Sequence, residues 1–228
     1  MTISVKTLKQ LPYGVENFVS LREKGYYYVD KTPYLKTVFT DSSSVLLFTR
    51  PRRFGKTLLM DMFDSFLSIT PYGSDKRMRQ EKIFEGLKIT GDKDFTDKYM
   101  GQFPVIFLSL KKVYGETFEE AYDALARIIV VLFSKFQILL NSEKLSEYEK
   151  SNFRNYLDRK ILCNLNSIGY VKESLGFLSK CLRNYYEKKV ILLIDEYDVP
   201  LVKAAEKGYH TQMVTLIKPV LRSYENSS

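Results

Sequence analysis

Histidine and cysteine are scarce in this sequence. One histidine, His210, and two cysteines, Cys163 and Cys181, supply too few ligands for a Cys/His zinc site, and their spacing matches none. Both cysteines lie in helix-like surroundings and read as reduced core or near-core residues, which places the chain in a cytoplasm. Long apolar runs are also missing. None approaches the roughly 20 residues of a membrane-spanning helix, so no membrane partner is expected. The opening "MTISVKTLKQ" lacks the apolar centre of a secretory signal. There is no internal repeat and no long linker.

What is present is an ordinary globular balance. The chain has 228 residues, 45% hydrophobic and 27% charged, enough to bury a sizeable core. The formal net charge of +8 suits anionic partners: nucleotides, nucleic acid or acidic protein surfaces. Many of the 35 basic residues fall on polar helix faces, as in "SEKLSEYEKSNFRNYLDRK", and are solvated. Seventeen tyrosines are interleaved with no aromatic-basic signature of a nucleic-acid module, so nucleic-acid binding rests on charge alone.

Three short apolar runs have buried-strand character: "VLLFT" (45–49), "FPVIFLSL" (103–110) and "VILLID" (190–195). Residues 26–29 suit a further short strand. Asp30 or Thr32 suits a helix cap, with Pro33 in the first turn. Between the runs the spacing is helical. Apolar residues recur at 58, 59, 62, 63, 66 and 67, and Pro71 and Gly73 end that pattern. A wide stripe runs from Phe118 to Phe136; polar helical sequence follows to about Lys160, then helical stretches at 171–187 and 211–224. Buried strands separated by helices predict an α/β fold with a parallel sheet covered on both faces.

Two stretches carry chemistry. In "LLFTRPRRFGKTLLMDMF", a strand-like run leads through a loop to a helix opening at Gly55-Lys56-Thr57. The first amides of a helix lack intrahelical partners and the dipole is positive there, so phosphate fills the vacancy. Lys56 reaches the β- and γ-phosphates and the Thr57 hydroxyl ligates Mg²⁺. The loop pattern asks for glycine five positions before Gly55, but Arg50 stands there, followed by Pro51, and the two enter the loop differently. Arg52 and Arg53 add positive charge that serves either the polyphosphate or a partner or nucleic acid. With Phe54, Gly55, Lys56, Thr57 and Leu58 they form the candidate nucleotide-binding set. The second stretch, "VILLIDEYD", ends an apolar run on two carboxylates. Asp195 suits Mg²⁺ coordination. Glu196 suits a general base that orients the attacking water. Asp198 is either a further polar group there or a cap for the next turn before Pro200.

Together "LPYGVENF", "YYYVDKTPYL", "LLFTRPRRFGKTLLMDMF", "VIFLSLK" and "VILLIDEYDVPL" resemble the bacterial AAA-ATPase-like family over residues 8–224, nearly the whole chain. In that family Arg50 looks ordinary. The resemblance implies a P-loop NTPase-type three-layer αβα fold with a mainly parallel sheet. It implies a segment at 1–40 packed on a P-loop domain at 41–228. Lys56 and Thr57 take the Walker A roles, Asp195 and Glu196 the Walker B roles, and ATP and Mg²⁺ are the cofactors. Tyr13, Tyr28 and Asp30 become candidates for the base pocket, with packing of the N-terminal segment as the alternative. Family members often carry a nuclease-like domain of PD-(D/E)XK type. The chain stops at "LRSYENSS", before the further strand with a polar sensor residue that the resemblance implies. A truncated protein with an incomplete sheet is therefore expected. The function implied is ATP binding, with Mg-dependent hydrolysis in the full-length parent coupled to a partner or to the nuclease-like domain. The alternative is a nucleotide-binding regulatory module without turnover.

Overall fold

A computed structural model of the chain describes residues 9–43, 45–49, 54–69 and 73–222, with the backbone alone at 73–76. Arg50, Pro51, Arg52 and Arg53 lie outside the described residues. The chain divides into two compact units, Met1–Gln102 and Phe103–Ser228.

The described part of the first unit is helical. It comprises α1 (Phe18–Glu23), α2 (Pro33–Thr40), α3 (Lys56–Leu67), α4 (Gly73–Phe84) and α5 (Lys93–Tyr99). Helix α3 spans the residues its periodicity predicts. Leu59, Met62, Phe63, Phe66 and Leu67, one apolar face at helical spacing, are buried. Phe66 packs edge-on against Phe84 at 5.2 Å, and Phe84 in turn lies 5.0 Å from Phe18 of α1. Asp61, on the polar side of α3, accepts hydrogen bonds from the Phe18 amide and, at 3.1 Å, from Asn17 Nδ2. A carboxylate of one helix thus satisfies an orphan N–H of another and sits at the positive end of its dipole. Helix α4, not foreseen from its weakly periodic sequence, is tied in through its polar groups. Gln80 Nε2 donates to the carbonyls of Ser65 and Phe66 at the end of α3. Arg22 donates to those of Ile83 and Glu85, each at 2.7 Å.

The expected first strand does not form. Residues 45–49 have no strand structure, and Val45 and Leu47 are 70% and 64% exposed. Only Phe48 finds an aromatic partner, Phe63, at 5.8 Å. An apolar run states that burial is favourable, but a strand also needs a neighbour to complete its hydrogen-bond ladder. None pairs with this segment among the described residues. The short strand expected at 26–29 likewise has no strand structure, although the Tyr27 amide donates to the Gln10 carbonyl at 2.9 Å.

In the second unit, β1 (Val105–Ser109) leads into α6 (Phe118–Ser134), α7 (Glu147–Leu157), α8 (Arg159–Leu162) and α9 (Ile168–Tyr186). Then come β2 (Ile191–Asp195), α10 (Val199–Lys207) and α11 (His210–Arg222). The strands pair in parallel, in a register running from Val105 opposite Ile191 to Ser109 opposite Asp195. A parallel pair needs a long crossover, and the four helices between the strands provide it. The sheet is therefore parallel as expected, but two-stranded among the described residues. The chain is mixed α/β and mostly helical.

Local signals account for the helix boundaries. Thr117 caps α6 by accepting from the Glu120 amide, and Ser146 with Glu149 forms a reciprocal capping box at α7. Gly208 ends α10 in a left-handed conformation. The core gathers Ile106 and Leu108 of β1 with the apolar faces of α6, α9 and α11. Phe133 stacks on Tyr156 at 4.2 Å, and Tyr156 on Phe177 at 5.3 Å. The Tyr122 hydroxyl donates to the Leu162 carbonyl at 2.9 Å, and burial pushes its phenol up to about 12. Both cysteines are unbridged: Cys181 is buried, with its thiol raised to about 12 by burial, and Cys163 is half-buried. No helix among the described residues is long and apolar enough to cross a membrane.

Phe133 is fully buried at the centre of the aromatic stack, so its loss leaves a cavity. Phe133→Ala is expected to destabilise the chain by about 3–5 kcal/mol, read from urea denaturation. A loss below about 1 kcal/mol, the scale of a surface change, would contradict this core.

Candidate functional site

Helix α3 begins abruptly. Gly55 occupies its N-cap with φ 72° and ψ 35°, the left-handed region that an L side chain enters only at a cost. The chain therefore turns sharply and passes at once into helix at Lys56. Gly55 has no side chain with which to cap this end. The Gly55 carbonyl already accepts the Leu59 amide at 3.0 Å, the first full turn of the helix. Phe54 is exposed, whereas Lys56, Thr57 and Leu58 are half-buried in the opening turn. Four of the candidate residues, Gly55 to Leu58, are thus gathered at one helix N-terminus, with Phe54 just before it. Such an end presents amides and a positive dipole to an anion. Arg52 and Arg53 belong to the undescribed stretch.

The segment before α2 is a clip built from "DKT". Asp30 accepts from the Thr32 amide at 2.9 Å, the Thr32 hydroxyl at 2.7 Å and the Lys88 amide at 2.7 Å. Burial alone would raise the Asp30 carboxyl. The hydrogen bonds from Lys88 and Thr32 outweigh it and hold the group below the ordinary carboxylate range. Thr32, fully buried, accepts from the Ile89 amide at 3.2 Å. Tyr28 packs edge-on against Phe18 at 5.3 Å, and burial raises its phenol to about 12. Tyr13 is fully exposed. These contacts give Tyr28 and Asp30 the packing role that was the alternative to a base pocket.

Lys31, between Asp30 and Thr32, reaches the loop. Its ammonium donates to the Phe54 carbonyl at 3.1 Å across 23 residues of sequence. A Cβ placed on Gly55 would lie 2.8 Å from Lys31 Nζ. Motif spacing carries no hint of this approach, because nothing local links the two segments. The one sequence signal is the compactness of "YVDKTP" itself, where a carboxylate, an ammonium, a hydroxyl and a helix-starting proline stand side by side.

In the second unit the parallel register brings the carboxyl ends of β1 and β2 to one edge, Ser109 opposite Asp195. Open α/β sheets place ligands at such an edge. Asp195 is the last strand residue and is 3% exposed. Its carbonyl accepts the Leu110 amide at 2.9 Å. Glu196, half-buried, follows in a left-handed conformation with φ 55°. The other described non-glycine residue with positive φ is Glu187, which ends α9, where this geometry is common. Glu196 has no helix end to explain it. Its carbonyl accepts the Val199 amide at 3.2 Å, closing a tight turn into α10. Strained backbone of this kind costs of order 1–3 kcal/mol and clusters at functional sites. Asp198 is exposed at the N-cap of α10, without a side-chain capping bond, and Pro200 lies in the first turn. It thus stands at the cap position but makes no capping bond from its side chain.

Among the described residues, no three His, Cys, Asp or Glu side chains cluster as a metal cage. Thr57 in the first unit offers a hydroxyl and Asp195 in the second a carboxylate, each taken by itself a hard oxygen donor of the kind Mg²⁺ prefers. Magnesium typically takes only one or two protein ligands, with substrate phosphates and water completing its octahedron. The donor chemistry fits the metal.

The model of a protein family described as "Predicted AAA-ATPase" matches residues 12–227. A protein of Azotobacter chroococcum mcd 1, described as "Uncharacterized protein in vnfD 5'region", is 25% identical over 198 residues. That match covers 85% of this chain and 30% of the relative, so the chain spans about a third of the relative's length. No solved structure matches.

Asp30→Ala leaves the Lys88 and Thr32 donors without their shared acceptor. It is expected to cost about 1–3 kcal/mol, measured by thermal or urea unfolding. The sign of the pH effect follows from a depressed carboxyl. The stabilisation is present above the unfolded carboxyl value of about 3.9 and fades as pH falls below it. Wild type and Asp30→Ala should therefore draw together in stability as pH falls through the lowered folded-state value of the carboxyl. A gap that stays constant as the medium is acidified would rule out the ionised clip.

Proposed function

Since the chain belongs to the predicted AAA-ATPase family, we propose that it is an ATP-binding P-loop unit of the three-layer αβα type. We further assign Mg-dependent ATP hydrolysis to the whole protein, coupled to a partner or to a nuclease-like region, in a reducing, cytoplasmic compartment. The observation that carries the reading is the left-handed entry at Gly55 directly into a helix that opens with Lys56 and Thr57. In this reading the α3 amides and the Lys56 ammonium take the β- and γ-phosphates. Phe54, Gly55 and Leu58 shape the loop, and Arg52 and Arg53 add charge beside it. Nucleic acid remains a candidate partner through the net charge alone.

Bound Mg²⁺ would neutralise charge developing on the phosphates. Thr57 and Asp195 would hold it. Glu196 would accept the proton of a water aligned with the γ-phosphorus, and Lys56 would steady the charge on the transferred group. The strained Glu196 backbone supports this role, because such geometry aims a carboxylate where relaxed chain would not.

Lys56→Ala is expected to abolish binding of labelled ATP, and unchanged binding in that variant would remove the phosphate assignment. Mg-ATP at 100 times its dissociation constant should stabilise the chain by about 2.7 kcal/mol in thermal melting. Glu196→Gln should keep that shift and lose phosphate release. Turnover equal to wild type in Glu196→Gln would exclude the base role. A melting shift without any release in the wild-type chain assigns it instead to the nucleotide-binding module without turnover.

A further inference from the structure

We infer that Tyr209 is a positioning residue for Glu196: by fastening the far end of α10 to Gly115, its hydroxyl keeps the Glu196 backbone in its left-handed conformation. That Glu196 then serves as a base rests on the nucleotide reading above; the fastening itself does not. A non-glycine residue stays in such a conformation only where its surroundings over-determine it. Glu196 does not end a helix, so a helix terminus does not account for its φ of 55°. It is held from both sides instead. On one side β2 is registered on β1, and the Asp195 carbonyl accepts the Leu110 amide at 2.9 Å. On the other, the Glu196 carbonyl accepts the Val199 amide at 3.2 Å, so the turn runs without slack into α10. The angle at which α10 leaves the sheet therefore bears directly on Glu196.

The far end of α10 is fixed at several points. Gly208 ends the helix at φ 83°, and Tyr209 follows at once, 6% exposed. Its hydroxyl donates to the Gly115 carbonyl at 2.8 Å and accepts the Gly115 amide at 3.3 Å. Two bonds to one residue set direction as well as distance. Beside them, Lys207 pairs with Glu116 at 2.6 Å. The loop they grip is anchored in its turn. The Glu116 amide donates to Glu120 Oε2 at 2.8 Å, and Thr117 caps α6. A Cβ on Gly115 would lie 2.4 Å from that of Glu120, so the loop is pressed against the first turn of α6, where Ala121 and Tyr122 are fully buried. Packing alone does not call for the hydroxyl: a phenylalanine ring would meet Phe118, 6.5 Å away, equally well. What the hydroxyl adds is registration of α10 on the loop that continues from β1. Leu110 and Asp195 close one end of this circuit, Gly115 and Tyr209 the other, and Glu196 lies on the arm between them.

The test is a double-mutant cycle on urea unfolding between Tyr209→Phe and Glu196→Gly. Glycine enters the left-handed region freely but loses more freedom on folding. In the wild-type background Glu196→Gly is expected to raise the folding equilibrium constant about threefold, because the strain it relieves exceeds that loss. In Tyr209→Phe, where Glu196 is released, the same change should lower the constant about threefold, the glycine entropy alone. Lys207→Met breaks only the outer pair and should diminish the gain without reversing it. An equal gain in all three backgrounds overturns the inference and leaves the nucleotide reading standing; absence of any gain in the wild-type background also overturns it. With nucleotide, Tyr209→Phe should keep the Mg-ATP melting shift and lower phosphate release at saturating ATP about tenfold, the scale of one misplaced catalytic group. Release equal to an active wild type, or loss of the melting shift along with release, overturns the positioning role. Reversal of the glycine effect in a chain that binds no ATP upholds the fastening and removes the nucleotide reading instead.

Discussion

The left-handed turn at Gly55 is the constraint on which the first unit's chemistry depends. Helix α3 is otherwise an ordinary amphipathic helix, with one face buried and the other half-buried. What distinguishes it is a left-handed glycine at the N-cap, which has no side chain to cap the first turn. A serine or aspartate at that position would satisfy the opening amides internally. Glycine leaves that end to an outside group and gives the chain the φ of 72° it needs to turn into the helix.

The rest of the first unit holds that helix in place. Its apolar face is packed against Phe84, which in turn meets Phe18, its carboxylate Asp61 caps α1, and its carboxyl end is bound by Gln80. The "DKT" clip is fastened at Lys88 and Ile89 and extends one ammonium back to the loop. Burial and polar satisfaction therefore converge on the same short stretch. The second unit solves a different problem. A parallel pair of strands brings two carboxyl ends to one edge, and the turn that follows forces Glu196 into a conformation its side chain resists. The aromatic and aliphatic core around α6, α9 and α11 supplies the stability against which such strain is affordable.

Particular residues show what could be read in advance. The apolar stripe from Phe118 announced α6, while the caps at Thr117 and at Ser146 with Glu149 are local hydrogen bonds that emerged with the structure. The spacing of Leu59, Met62, Phe63, Phe66 and Leu67 announced α3 because a helix closes its own backbone bonds. "VIFLS" and "ILLID" were legible as strands, but "VLLFT", equally apolar, forms none among the described residues. The three runs differ in whether a partner lies alongside, and composition does not carry that information. Helix α4 escaped notice for the opposite reason. It is held by polar side-chain bonds such as those of Gln80 and Arg22, and so shows little apolar periodicity.

The candidate site divides along the same line. Gly55, Lys56, Thr57, Asp195 and Glu196 could be named from the sequence, since each belongs to a contiguous motif whose chemistry depends on adjacent residues. By itself the sequence determined the helix starts, the apolar faces and the residue types fit for phosphate and metal. Only tertiary structure decided which apolar runs pair, that Asp30 is a structural clip, that Glu196 is strained, and that Lys31 reaches Phe54. These depend on contacts between segments far apart in the chain, and such contacts are fixed by packing and hydrogen-bond satisfaction across the fold, which no local pattern encodes.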